Sequence, residues 1–275
     1  MKFLNKINMN NSLLFVLVLL GMFTRIDVSI SQPLNRNFQP LRKGIYIKIS
    51  RVNHNDSTSS TENSIRLESM DSLESIINTN GDYIKQIIFV EVEPIESRIY
   101  ELLPVLEKLY FVNIAQIPKG LNIKSRLINY QLTDSFRKNI NQKKSNARFK
   151  YFIENSKEII SSLVLIGLED FRINKFLRNN SVIKKLIVYD KINWGNYNYN
   201  IDIKNLELPI DVNDPPSIIF KLNNPERIVM YLDFTYKDSL PDWILSYNHI
   251  CILILAGSID TMTQFGSVKS EKCNR

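Results

Sequence analysis

The chain has 275 residues, 44% of them apolar and 23% charged, with a formal net charge of +7 and two cysteines. That length holds one large domain or two small ones, and the apolar content is ordinary for a folded core. Two cysteines exclude a disulfide framework, and the sequence has no CxxC, no Cys/His zinc spacing and neither GxGxxG nor GxxxxGK(S/T) among its eight glycines.

The first element is a leader. "MKFLNKINMNNS" carries Lys2 and Lys6 without an acid, residues 13–23 are an unbroken apolar run, and Arg25 and Asp27 follow at once. The run is about half of a bilayer span. Ser29 and Ser31 are small residues placed for cleavage before Gln32. This pattern describes a secretory signal peptide over 1–31, and so a secreted protein. The other reading is an uncleaved segment that anchors the chain to a membrane. Without 1–31 the net charge falls from +7 to +5, too diffuse to imply nucleic acid, which selects a concentrated basic face. In a secreted chain Cys251 and Cys273 either pair or stand as a buried and a free thiol. Asn55 in "NDS" and Asn179 in "NNS" have the glycosylation-acceptor pattern.

Residues 32–83 read as an N-terminal capping region. "IYIKI" alternates, with Ile45, Ile47 and Ile49 on one side, and predicts a strand. The Ser/Thr-rich stretch 53–64 predicts a flexible loop. Ile65, Met70, Leu73, Ile76 and Ile77 stand at helical spacing before Gly81.

From Ile84 onward one pattern recurs: apolar, two residues, apolar, one residue, apolar. It appears as Ile84/Ile87/Phe89, Leu106/Leu109/Phe111, Ile160/Leu163/Leu165, Ile183/Leu186/Val188, Ile203/Leu206/Leu208, Val229/Leu232/Phe234 and Ile250/Leu253/Leu255. The middle anchors step by 22, 54, 23, 20, 26 and 21 residues. The long step has room for a degenerate repeat around "RLINYQL", 126–132. A unit of 20–29 residues cannot bury its own apolar side, so such units stack into a parallel sheet with a continuous core. "IESRIYELLPVLEK", "INKFLRNNSVIK" and "LPDWILSYNH" read as return segments, short helices on the outer face.

"LPDWILSYNHICILIL" and "VMYLDFTY" resemble the return segment and strand of the leucine-rich repeat family, and the resemblance covers 84–258. It extends to divergent repeat proteins secreted by intracellular parasites such as microsporidia. The resemblance implies an α/β solenoid, with a parallel sheet on one side and short helices or irregular segments on the other. It also implies non-catalytic binding of a protein partner. The family places Asn or Cys three residues after the last strand anchor. Here those positions hold Val92, Ile114, Leu168, Lys191, Asp211, Lys237 and Ser258, so the inner turn needs another way to satisfy its backbone. Residues 259–275 form a tail.

The residues between the last two anchors face away from the core: Ile88, Tyr110, Val164, Ile187, Glu207, Asp233 and Ile254. An apolar stripe there is either an interaction surface or is covered. The binding residues expected on this reading are Tyr110, Ile187 and Tyr189 on strands, with Trp194 and Tyr197 in the loop "NWGNYNYN", whose composition suits recognition. A second candidate is the basic segment with Arg137, Lys138, Lys143, Lys144, Arg148 and Lys150, inside an insertion at 133–159. It suits polyanions such as glycans, anionic lipid or nucleic acid, or is a solvated loop or helix. Catalysis finds little support. The two histidines, His54 and His249, lack an evident nucleophile partner, although a triad is recognised by geometry and not by spacing. No cofactor or metal is expected, and an enzyme on an α/β scaffold is the remaining alternative.

Overall fold

Alternation at 45–49 gives the first strand. In the computed structural model β1 (Gly44–Asn53) turns Ile45, Ile47 and Ile49 into the core. The chain divides into two units, Met1–Pro40 and Leu41–Arg275. The structure describes 41–53, 56–168, 171–178, 182–189, 192, 194, 195, 200–210, 215–223, 225–233 and 252–256, with backbone alone over 52–61, at 210, and over 231–233 and 252–256. The leader at 1–31, Asn55, Asn179, Tyr197, Cys251, Cys273 and both histidines therefore lie outside the described residues. Among the described residues no helix is long and apolar enough to cross a membrane.

The stretch expected as a polar loop is instead mostly strand. β2 (Asp56–Leu67) pairs antiparallel with β1 over nearly its whole length. The outer edge of β1 carries backbone N–H and C=O groups that need partners, and Thr fits extended backbone well. Ile65 consequently faces Ile47 across the hairpin and opens no helix. The helix starts later, as α1 (Asp71–Asn80), and buries Leu73 and Ile77.

Eight strands follow: β3 (Ile84–Val90), β4 (Lys108–Val112), β5 (Leu127–Gln131), β6 (Ser162–Ile166), β7 (Lys185–Val188), β8 (Asn205–Ile210), β9 (Arg227–Asp233) and β10 (Ile252–Ala256). The described sheet has ten strands in the order β10-β9-β8-β7-β6-β5-β4-β3-β1-β2. From β3 to β10 every pairing is parallel. β3 joins β1 and leaves β2 on the outer edge, but from β4 to β10 each strand lies beside its predecessor in the chain, so among the described residues the parallel part has no switch-point crevice of the doubly wound kind. The architecture is α/β: an open, mostly parallel sheet with a few short helices, advancing one strand per turn as a solenoid does.

Register aligns the anchors. One core row runs Ile47, Ile87, Leu109, Ile128, Leu163, Leu186, Leu206, Ile228, and the next runs Ile45, Phe89, Phe111, Tyr130, Leu165, Val188, with Leu208 and Met230 continuing it. β5 fills the long step, with Ile128 and Tyr130 as its anchors. At β9 the frame differs from the one the sequence suggests. Ile228 and Met230 oppose Leu206 and Leu208, while Val229 opposes Glu207 on the other face. In β10, Leu253 opposes Met230 and so stands in the third-anchor row, not the second. The run "RIVMYLDF" offers apolar residues in more than one frame. Pairing with β8 selects the frame that leaves the step from Leu206 at 22 residues.

The interval 133–159 is a return segment packed onto the main core. It forms α2 (Asp134–Arg137) and α3 (Gln142–Asn155), and α3 buries Ser145, Phe149, Phe152 and Ile153. Phe149 stacks on Tyr130 with ring centroids 4.3 Å apart, and Phe152 meets Phe111 edge-on at 5.3 Å. The Tyr130 hydroxyl donates to Ile114 O at 2.8 Å and lies 2.6 Å from Ser145 Oγ. Burial lifts that phenol from its ordinary value to about 12.

Turns after the strands replace the missing asparagine ladder. Two residues past the last anchor, Glu91 and Asn113 have φ of 54°, and Gly167 has φ of 76°. Asn113 Nδ2 donates to Glu91 Oε1 at 3.2 Å, and Asn113 Oδ1 accepts from Thr133 N at 2.9 Å and Thr133 Oγ1 at 3.1 Å. Glu93 accepts from Gln116 N and Glu96 from Gly120 N. Three units are thus laced side chain to backbone, one position earlier than the family pattern. That leaves Ile114 and Leu168 free to turn inward and be buried.

Candidate functional site: the second face of the sheet

Side chains that alternate away from the core form a second face. Its central row runs Tyr46, Ile88, Tyr110, Asn129, Val164, Ile187, Glu207, Val229. Toward the strand starts lies a second row: Lys48, Gln86, Lys108, Leu127, Ser162, Lys185, Asn205, Arg227. Ile88, Val90 and Tyr110 make a small cluster with Tyr46, Val112 and Leu127, all of them strand residues of this face. The buried side chains of α1, α3 and α4 (Asn174–Arg178) join the core cluster instead.

Polarity on this face is poorly compensated. Three buried polar atoms have no hydrogen-bond partner: Asn129 Oδ1, Ser162 Oγ and Arg227 Nε. Asn129 is 4% exposed and stands between Tyr110 and Val164. A buried amide oxygen without a donor costs about 1–3 kcal/mol. Lys185 is held below the ordinary lysine range, first by burial and then by repulsion from Arg227 and Lys108, against the attraction of Glu207. Glu207 accepts a hydrogen bond from the Tyr189 hydroxyl. Between β7, β8 and β9, Lys185, Ile187, Asn205, Leu206, Glu207 and Arg227 line a crevice of about 10 Å³, room for about one water.

Residues expected from the sequence fall into two groups. Tyr110 and Ile187 share the central row at 4% and 1% exposure, and Tyr189 is half-buried at the end of β7. The apolar part of the stripe is therefore largely shut to water, and the accessible groups are the polar ones beside it. Trp194 packs against the main core, away from this face. The basic segment is separate. Arg137 pairs with Asp134 at 2.9 Å and Lys150 approaches Glu154 at 4.0 Å, whereas Lys138, Lys143, Lys144 and Arg148 make no ion pair among the described residues. Lys143 and Lys144 occupy the first turn of α3, where cations oppose the helix dipole. Tyr151 beside them is 48% exposed. Among the described residues no group of three His, Cys, Asp or Glu is placed to hold a metal ion.

Asn129, Ser162, Lys185 and Arg227 were not among the residues the pattern singled out. Reading "RLINYQL" in the anchor frame places Asn129 between Ile128 and Tyr130, so that signal was present. Lys185 and Arg227 precede their anchors and depend on register. No protein-family model matches this chain, and neither a curated protein nor a solved structure matches it.

Proposed function

We propose that the protein is a secreted, non-catalytic binding protein of the leucine-rich-repeat type that takes a protein partner on the second face of its sheet. One observation carries the reading: desolvated polar atoms of Asn129, Ser162 and Arg227 lie among apolar side chains and are left unpaired by their own chain. Buried polar groups are ordinarily satisfied, and a partner's backbone or side chains supply what is missing here. The leader, the step of about 22 residues and the turn lacing of Glu91, Asn113 and Thr133 support secretion and the repeat type. A photo-reactive residue at Lys185 or Tyr189 is expected to form covalent adducts with one protein of defined mass, and the same group at Lys143 is not. Adducts from Lys143 alone overturn the reading. Sequencing the secreted form from Gln32 tests the leader.

A second reading has its own observation. Lys143 and Lys144 stand in the first turn of α3 against the helix dipole, with Lys138 before the helix and Arg148 further along it, and among the described residues none of the four has an ion-pair partner. A polyanion would relieve that arrangement. Such binding falls steeply with salt, and K143Q/K144Q/R148Q abolishes retention on a heparin column if it holds.

A further inference from the structure

We propose that the row Ser162, Lys185, Asn205 and Arg227 takes an extended acidic segment of the protein partner, with carboxylates meeting Lys185 and Arg227. The inference rests on the protein-binding reading and names the chemistry of the partner.

Four observations converge on this row. Ser162 opposes Lys185, Lys185 opposes Asn205, and Asn205 opposes Arg227, so the four side chains run side by side across β6 to β9. Arg227 and Lys108 each act on Lys185 as like charges, against the attraction of Glu207. Arg227 Nε and Ser162 Oγ are buried without a partner. The adjoining row carries Val164, Ile187 and Val229, all buried. Two cations, Lys185 and Arg227, flank the single acid Glu207, so the row keeps a surplus of positive charge that an arriving anion offsets.

Shape then chooses among anions. The crevice holds about 10 Å³, far below the several hundred Å³ of a small-molecule site. A linear ligand therefore fits better than a compact one. Lys185 and Arg227 stand two strands apart, about 10 Å at ordinary strand spacing, and an extended peptide returns side chains to one face about every 7 Å. The lysine stem covers the difference. A dense polyanion would press its charge onto Glu207, which lies in the central row between them. A peptide places carboxylates sparsely, so they can meet Lys185 and Arg227 while sparing Glu207.

The test is titration of fluorescently labelled hexaglutamate into the full-length protein, with heparin fragments as the comparison ligand. K185Q/R227Q is expected to weaken hexaglutamate binding at least about tenfold, the scale of losing a desolvated charge pair, while K143Q/K144Q changes it less than about twofold. K185R/R227K, which keeps both charges, restores binding and shows that the loss is not one of folding. The inference is overturned if K185Q/R227Q binds hexaglutamate as the parent does, or if that variant loses heparin instead. It is also overturned if hexaglutamate fails to bind while the Lys185 cross-link to a protein persists, which spares the protein-binding reading. If both fail, both fall.

Discussion

Asn113 joins Glu91 across 22 residues of sequence, its Nδ2 lying 3.2 Å from Glu91 Oε1, while its Oδ1 takes the Thr133 backbone N–H at 2.9 Å. One side chain thus ties the turns of three successive units. Its φ of 54° is a backbone state that Asn tolerates better than most residues. Asn113→Ala loses the bonds and strains the backbone, and is expected to cost about 2 kcal/mol. Asn113→Gly keeps the backbone and loses only the bonds, costing about 1 kcal/mol. Urea midpoints of the two variants check the order.

Gly167 occupies the corresponding turn after β6. A Cβ there would lie 2.0 Å from Leu132 O, at φ of 76°. Gly167→Ala is therefore expected to lower the thermal midpoint more than Asn113→Ala does, since the clash is with backbone that cannot swing away. An equal or smaller drop would show that the turn yields.

Tyr130 couples the sheet to α3, and its phenol is raised to about 12 against an ordinary value near 10. A raised acid favours the folded state while neutral. Its contribution is complete below pH 10 and is lost as the pH climbs through 12. Tyr110, also lifted to about 12 by burial, adds in the same window. Tyr130→Phe is expected to cost about 1–2 kcal/mol at pH 7, through two lost hydrogen bonds, and to flatten the decline between pH 10 and 12. Stability followed against pH in both proteins decides this.

Phe149 stands between Tyr130 and Phe171, with centroids at 4.3 and 5.8 Å. Phe149→Ala is expected to cost about 3–5 kcal/mol, whereas Lys144→Gln on the outer side of the same helix changes stability by less than about 0.5 kcal/mol. A small loss at Phe149 would mean that the 133–159 segment is an appendage.

Lys185 is a lowered base, so its folded form resists the proton. Its contribution to stability is fully present above the ordinary lysine value and is lost as pH falls through the lowered one, which leaves it unfavourable at neutral pH. Lys185→Gln is therefore expected to raise the urea midpoint at pH 7 or leave it unchanged, with added salt stabilising the parent more than the variant. A clear loss of stability would mean that Lys185 has a structural partner.

How much could be read in the sequence depends on the range of the interaction. Ile87/Phe89 and Leu163/Leu165 declare their strand by spacing alone, because alternation is local. Val229 fits the same spacing as a first anchor, yet pairing with β8 sets it opposite Glu207 on the other face. The Ser/Thr-rich arm of β2 carries no apolar alternation at all over 56–64, and is held extended by β1.

The sequence by itself determined that short apolar strands recur, that they advance along one sheet, and which residues of most strands enter the core, because each unit repeats the same local pattern. The tertiary structure decided the rest. It placed Tyr130 under α3, moved the turn lacing to Asn113, and brought Lys185, Glu207 and Arg227 from three units onto one face. Those are relations between units. Register fixes them through backbone pairing, and backbone pairing leaves no mark on the order of side chains along any one unit.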